Sequence, residues 1–408
     1  MIDIQNKVQC CGCSACVEKC PKHCIKLKED REGFLYPVVD KTVCIDCGLC
    51  EKVCLMLSST VFRPPLKVYA SVNTDAKIRQ ASSSGGIFTL LAGKVIAGGG
   101  VVFGACFDEA WEVQMAFAEN MEGISSFRGS KYLQARVEYT YKETENFLKQ
   151  GRQVLYSGTP CQIAGLKKFL RHDYDNLLAV DFVCHGVPSP KVWRKYLSGI
   201  LARQGNGKNT VLSHSKNQNQ TIENIEFRSK STGWKKYSFA LTLSKAEATG
   251  EKNTVLLSSV FSENVYMRAF LSNLILRPSC HSCPSKEGKS GSDITIADFW
   301  GIENCMPDMD DDKGTGLVLI NSRKGMSFFP QDGVKVKECT YDEAFACNPS
   351  LKYAASPHPR RTKFFALLDK EDFDMDQAVA RMLKTPLMTQ IKSFAVRMVR
   401  HFIRIVKL

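Results

Sequence analysis

Apolar and polar residues alternate in Ile25-Lys26-Leu27-Lys28 and again in Phe34-Leu35-Tyr36-Pro37-Val38, and the polar run Glu29-Asp30-Arg31-Glu32-Gly33 between them completes a β-hairpin pattern. From Gly86 to Phe107 the pattern changes: these 22 residues carry Lys94 as their one charge, about the length of a bilayer span. Gly93, Gly98, Gly99, Gly100 and Gly104 interrupt the run, however, and divide it into a helix from Ile87 to Ala97, a glycine turn and a strand from Val101 to Cys106. Farther along, Gln153-Val154-Leu155-Tyr156, Leu178 to Val183 and Asp293 to Ala297 read as short strands with helical patterns between them, which predicts a mostly parallel sheet. Residues 202–260 are polar and irregular apart from strand-like Asn224 to Arg228 and Tyr237 to Leu241. At the C-terminus, 100° per residue puts Lys392, Arg397, Arg400, Arg404 and Lys407 on one face and Leu387, Ile391, Phe394, Met398, Phe402 and Ile405 on the other, a basic amphipathic helix over 384–408.

Composition adds two facts. The 408 residues include 55 Lys and Arg against 42 Asp and Glu, and the stretch 384–408 supplies six of those basic residues with no acidic one. Such a helix suits an anionic membrane surface, at ~1 kcal/mol per basic residue, or docking against the chain's own core or a partner subunit. Nucleic acid is excluded as a partner, because the charge is not interleaved with an aromatic binding face. The second fact is the count of 18 cysteines, ten of them within the first 54 residues. With no basic-then-apolar leader at Met1 to Lys7, a secreted disulfide scaffold is disfavoured and a reduced, cytoplasmic, metal-binding chain is expected.

Cys10, Cys13, Cys16 and Cys20 stand at C-x2-C-x2-C-x3-C before Pro21, and Cys44, Cys47, Cys50 and Cys54 repeat that spacing. In two-cluster ferredoxins the fourth cysteine of each run ligates the other cluster. Cys10, Cys13, Cys16 and Cys54 are therefore expected to hold one 4Fe-4S cluster, and Cys44, Cys47, Cys50 and Cys20 its twin. Zinc would need only four thiolates per ion and leaves the paired runs unexplained. Cys11 and Cys24 fall outside the pattern and read as packing residues, as do Cys305, Cys339 and Cys347.

Downstream, Ser82-Ser83-Ser84-Gly85-Gly86 opens a helix and so offers hydroxyls and backbone N–H groups to an anion, or simply caps the helix. Cys161 follows a strand and its turn Ser157-Gly158-Thr159-Pro160, and Cys184-His185-Gly186 ends the next strand at the same edge, where ligands bind in open α/β sheets. Cys280-His281-Ser282-Cys283 adds a C-x2-C pair. A third, discontinuous site of Cys161, Cys184, Cys280 and Cys283 is expected, for a 4Fe-4S cluster or zinc, with Cys106 as a competitor for a ligand position.

These motifs, together with Phe127-Arg128-Gly129-Ser130-Lys131-Tyr132, Gly158 to Gln162, Cys184 to Ser189, Arg277 to Cys283 and Ser292 to Gly301, resemble the coenzyme F420 hydrogenase/dehydrogenase beta-subunit family over residues 8 to about 325. The chain is similar end to end to bacterial members with a fused ferredoxin module, many of them placed with surface-polysaccharide genes. Ala297 stands where the family often has glycine. The resemblance implies an α+β ferredoxin-like dicluster module at 1–60, then an α/β flavin-binding body at 61–150 and 151–375. It also implies FAD beside the third cluster. A flavin needs phosphate donors and a positive charge near its ring. Ser83, Ser84, Gly85 and Gly86 would serve the first need, Arg128 and Lys131 the second, and Thr159 would add a polar contact. His185 and Asp298 are the candidate proton carriers.

The function so implied is an iron-sulfur flavoprotein oxidoreductase linking a ferredoxin-like one-electron donor or acceptor to an organic substrate of unknown identity, with saccharide-related compounds as the candidate class. The chain would be cytoplasmic or peripheral at the inner membrane face. The rival readings are a non-catalytic electron-transfer subunit and a flavin-free iron-sulfur protein.

Overall fold

The computed structural model describes residues 1–58, 61–204, 220–246 and 252–384. From residue 385 onward the expected amphipathic helix lies outside the described residues. The N-terminal hairpin is present: β1 (Ile25–Glu29) pairs antiparallel with β2 (Leu35–Val39), Ile25 opposite Val39. Asp30 Oδ1 closes the turn by accepting from the N–H groups of Glu32 and Phe34, both at 3.0 Å.

The body begins with β3 (Lys67–Asn73), α1 (Ile87–Ala97), β4 (Val101–Phe107) and β5 (Val113–Ala118), so the glycine-interrupted run divides where its pattern placed the breaks. Then come α2 (Thr140–Lys149), β6 (Val154–Gly158), α3 (Pro160–Leu170), β7 (Leu177–Phe182) and α4 (Pro190–Gln204). Strands β8 (Gln220–Ser229), β9 (Ser238–Ala246) and β10 (Lys252–Val260) follow, and β11 (Ile294–Asp298), β12 (Gly316–Ile320) and β13 (Val334–Glu338) complete the set.

Eight strands form one sheet in the order β13-β3-β12-β11-β7-β6-β4-β5. Its centre, β11-β7-β6-β4, is parallel as the alternation predicts, and its flanks are antiparallel. Side chains on β6 show the period of two: Val154 and Tyr156 pack on the face covered by α2 and α3, while Leu155 joins Ile87, Leu91 and Val95 of α1 on the other. Residues 61–150 and 151–375, the two expected parts of the body, contribute interleaved strands to this one sheet. Residues 220–260 also depart from the irregular reading, since β8, β9 and β10 make a three-stranded antiparallel sheet among the described residues.

The module and the body are joined by polar contacts. Ser189 Oγ and the Arg361 guanidinium both reach Glu32, and Arg194 Nη2 meets Glu29 at 2.6 Å. Gly33, at φ +88°, lies so close to α4 that a Cβ there would fall on Lys191 Cβ and sit 2.7 Å from its backbone nitrogen.

Candidate functional site

Cys10, Cys13, Cys16 and Cys54 line one pit, walled also by Ile2, Ile4, Leu27 and Leu55. Cys20, Cys44, Cys47 and Cys50 line a second with Pro21, Ile25 and Val39. Each run coils because its short helix starts from a left-handed residue, Ser14 at φ 61° and Gly48 at φ 68°. Backbone N–H groups point at the sulfurs: Ile2 N lies 3.3 Å from Cys50 Sγ and Asp46 N 3.4 Å from Cys44 Sγ. Burial, then the thiols of Cys10, Cys54 and Cys50, push the Cys16 thiol far up, so these sulfurs stand within electrostatic reach of one another. Among the described residues no group of three or more His, Cys, Asp or Glu closes around a single metal ion.

The third set converges at the carboxyl edge of the parallel strands, where Gly158 of β6 lies opposite Asp181 of β7. Thr159 caps α3 in a reciprocal pair with Gln162, and Pro160 takes the first helical position. That fixes Cys161 in the first turn, its Sγ 3.2 Å from Thr159 Oγ1. Cys280 and Cys283 arrive on the turn after Arg277, and Val187 N lies 3.4 Å from Cys280 Sγ. Burial raises the Cys184 thiol, Lys286 opposes the rise, and Cys280, Cys161 and Cys283 add to it, which places the four thiols within electrostatic reach of one another. Cys161 also packs against Cys11 and Cys13, with Ala164 and Leu55 filling the same wall. The first and third pits are thus neighbours. Cys106 is elsewhere, on the α1 face of the sheet among Ile87, Leu91 and Phe127, and does not compete for a place in this group.

The Ser/Gly loop is held by Asn73, whose N–H donates to Gly85 O at 2.7 Å and whose side-chain amide donates to Gly86 O at 3.2 Å. A side chain at Gly85 would stand 2.6 Å from Gly316 N, so only glycine fits. The hydroxyls do not converge on one point as the loop's sequence suggests. Ser84 Oγ donates to Thr315 O, Ser82 Oγ donates to Ile78 O, and Ser83 Oγ accepts from Ser130 N and Ser130 Oγ. Two cations stand beside the loop. Lys131 Nζ donates to the carbonyls of Arg128 and Gly129, and burial pushes its pKa down to about 8. Arg128 Nε is buried with no partner.

Asp298 does not sit as a free proton carrier. Arg228 clasps both its oxygens, Nη1 to Oδ2 at 2.7 Å and Nη2 to Oδ1 at 3.1 Å, and Trp234 Nε1 donates to Oδ1 at 2.9 Å. His185 meets the Phe270 ring edge-on at 5.0 Å; its Nε2 is buried without a partner, and burial pushes its pKa down. A continuous path joins the two regions. Arg228 reaches Ser83 O at 3.4 Å and Tyr132 OH at 3.3 Å, the Tyr132 ring stacks on Phe270 at 4.7 Å, and Phe270 meets His185 beside Cys184.

Residues 151–341 match the family model for the C-terminal part of the coenzyme F420 hydrogenase/dehydrogenase beta subunit. Over that segment the chain is similar to this family. Its family segment holds Cys161, Cys184, Cys280 and Cys283 with His185, Arg228 and Asp298, whereas the Ser/Gly loop, Arg128 and Lys131 precede it. The chain is similar to a coenzyme F420-dependent sulfite reductase from Methanocaldococcus jannaschii, 26% identical over 221 residues, 52% of this chain and 34% of that protein. The N-terminal part is similar to a 7Fe ferredoxin from Hydrogenibacillus schlegelii, 49% identical over 41 residues, 10% of this chain and 46% of that protein. The chain therefore spans less than half the length of either of these relatives. A chain of the F420-reducing NiFe hydrogenase complex from Methanosarcina barkeri aligns at TM-score 0.44 and 17% identity, covering 77% of this chain and 95% of its own. No helix among the described residues is long and apolar enough to cross a membrane.

Within this site, sequence reasoning missed Arg228, Lys230 and Arg277. Lys230 Nζ donates to three carbonyls, of Arg79, Ser84 and Lys313, and so ties the Ser/Gly loop to two other segments. Arg277 had a signal, since it stands just ahead of Pro278 and the C-x2-C pair; Arg228 and Lys230 had none.

Proposed function

We propose that this chain is an iron-sulfur flavoprotein oxidoreductase passing electrons between a ferredoxin-like one-electron carrier and an organic substrate. Cys10, Cys13, Cys16 and Cys54 would hold the first 4Fe-4S cluster, Cys20, Cys44, Cys47 and Cys50 the second, and Cys161, Cys184, Cys280 and Cys283 a third. FAD would lie between the Ser83–Gly86 loop and the third pit, with Lys131 and Arg128 supplying charge and Thr159 a contact beside Cys161. Four-iron clusters exchange single electrons and a flavin exchanges two, so a chain holding both converts between them.

The observation that carries this reading is the contact of Cys11 and Cys161, which sets the first and third pits wall to wall, with Arg228, Tyr132, Phe270 and His185 leading on from there. His185 is the proton carrier in this reading, and Asp298 positions Arg228. The substrate would be a saccharide-related compound, and the basic amphipathic pattern over 384–408 would bring the chain to the inner membrane face. A second reading, an electron-transfer subunit serving a separate catalytic partner, draws on the exposure of Cys47 and of Ile45 beside it, which opens the second pit to a docking protein.

Anaerobic iron, sulfide and flavin analysis of the purified chain tests the reading. About twelve irons, for three four-iron clusters, with one FAD are expected. About eight irons without flavin would reduce the chain to a ferredoxin module on a body of other chemistry. Turnover by the isolated chain separates the two readings.

A further inference from the structure

Cys305, Cys339 and Cys347 lie outside all three cysteine sets, and two of them meet at one peptide. Cys347 Sγ lies against Gly301: a Cβ on that glycine, at φ +70°, would stand 2.2 Å from the sulfur and 2.9 Å from Cys347 Cβ. Cys305 Sγ points back at the same residue, 3.9 Å from Gly301 O and 3.8 Å from Ile302 O. Any side chain at 301 would fill the space that the Cys347 sulfur occupies, so glycine is what brings the two thiols to one place.

The sulfurs reach Gly301 from separate elements. Cys305 ends the helical turn Ile302–Cys305, and Cys347 ends the helix Tyr341–Cys347, which Thr340 and Glu343 cap reciprocally. Both are partly buried free thiols. Burial raises the pKa of the Cys305 thiol, and Cys347 adds to the rise ahead of Glu343. Cys339 is held in another direction. Its N–H donates to Val68 O at 2.9 Å, and the charge that acts on it most is that of Glu343.

We propose that Cys305 and Cys347 are a reversible disulfide pair, oxidised by thiol–disulfide exchange with a small external disulfide such as oxidised glutathione. The Cys347 sulfur attacks one sulfur of that disulfide and releases the first small thiol. The Cys305 sulfur, kept protonated longer by its burial, then displaces the second from Cys347. One S–S bond forms as one breaks, two electrons pass to the external disulfide, and the two thiol protons go to its departing sulfurs. The new bond closes across Gly301 directly behind Trp300, whose ring stacks on Trp234 at 5.0 Å and lies 5.0 Å from the Arg228 guanidinium. Trp234 in turn donates to Asp298, so oxidation stiffens the wall behind the Arg228–Asp298 clasp.

The test treats the full chain, folded and anaerobic, with oxidised glutathione, blocks the remaining thiols with N-ethylmaleimide, and digests the product with trypsin. Cleavage after lysine leaves Cys305 in the peptide 290–313 and both Cys339 and Cys347 in 338–352. Mass spectrometry is expected to find these two peptides linked in most chains, with fragmentation placing the bond on Cys347, and dithiothreitol should release them. Cys347→Ser should abolish the link although Cys339 remains, and Cys339→Ser should leave it intact. Recovery of the two peptides as separate maleimide or glutathione adducts overturns the proposal, and so does a bond on Cys339. The same treatment in urea is the control. A link no more frequent in the folded chain than in the unfolded one also overturns the pair, because the meeting at Gly301 would then play no part.

Discussion

Arg277 Nε donates to Cys10 O at 2.8 Å, joining residues 267 apart in sequence. The same guanidinium meets Gln134 Oε1 at 3.0 Å and Leu35 O at 2.9 Å, lies over the Tyr36 ring, and is fully buried. It docks the cysteine loop of the first pit onto the segment that carries Cys280.

Replacing Arg277 with Met should therefore strand three buried acceptors, at about 1–3 kcal/mol each before relaxation. The expected outcome is a lower urea midpoint and faster proteolysis between residues 58 and 66. Arg277→Lys should fall between, since an ammonium cannot reproduce the planar fork. An unchanged proteolysis pattern in Arg277→Met would remove its docking role.

A glycine pair isolates the second contact between module and body. Gly33 and Gly151 both have φ near the left-handed region, +88° and +77°, but a Cβ at Gly151 would meet nothing within 4 Å. Gly151→Ala should cost about 1–2 kcal/mol from its backbone alone. Gly33→Ala should cost more, because α4 blocks the new atom, and equal midpoints would show that the hairpin yields freely.

Asp298 and Arg228 yield a prediction that separates anchoring from proton transfer. Asp298→Asn leaves Arg228 buried without its counter-charge, at about 3–5 kcal/mol. The expected result is a marked loss of stability. A stable Asp298→Asn protein with a displaced pH–rate profile would restore Asp298 as a proton carrier.

Burial pushes the Asp181 carboxyl up to about 6, against the hydroxyl donors Ser290, Thr295 and Ser292. The raised value means the folded state favours the protonated form. Its stabilising contribution is full below about pH 4, the ordinary range for aspartate, and is lost as pH rises through about 6. Between pH 5 and 7 the loss is about 1 kcal/mol. Across that interval the urea midpoint of wild type should fall relative to that of Asp181→Asn by the equivalent of that difference, and parallel curves would refute it.

Lys131 carries the corresponding prediction for the flavin. With its pKa pushed down to about 8 by burial, it loses its charge as pH rises from 7 to 9. Affinity for FAD, followed by fluorescence quenching, should fall across that interval and stay flat in Lys131→Arg. A flat wild-type curve would place the flavin's anionic groups elsewhere.

Much of this was legible in the chain itself, for local reasons. The hairpin at Ile25 to Val39 and the division of Gly86 to Phe107 follow from a change of hydrophobic period and from glycine, both read within a few residues. The sixfold recurrence of close cysteine spacings marked the two N-terminal pits, and strand ends marked Cys161 and Cys184. The antiparallel flanks were not legible, because β3 finds β12 and β13 some 250 residues away and pairing at that distance leaves no local trace. Arg228 was missed for a related reason: a single arginine in sequence reads as solvated surface, and only the fold reveals that it is buried against Asp298. Asp298 drew attention as a carboxylate near the site, yet its role depends on which cation the distant β8 brings to it.

The placing of β3 between β12 and β13 sets an order in time. The last cysteine of the two N-terminal pits is residue 54, so both sets leave the ribosome ahead of every strand of the eight-stranded sheet. Cys283 arrives more than two hundred residues later, and β3 waits until residue 338 before both its edges are paired. In the proposed reading, metal loading would therefore be staged along synthesis, with the N-terminal thiols exposed before β3 has both its partners. A pulse-labelled chain should take up iron in two separated steps, and a single late step would show that the whole molecule must assemble first.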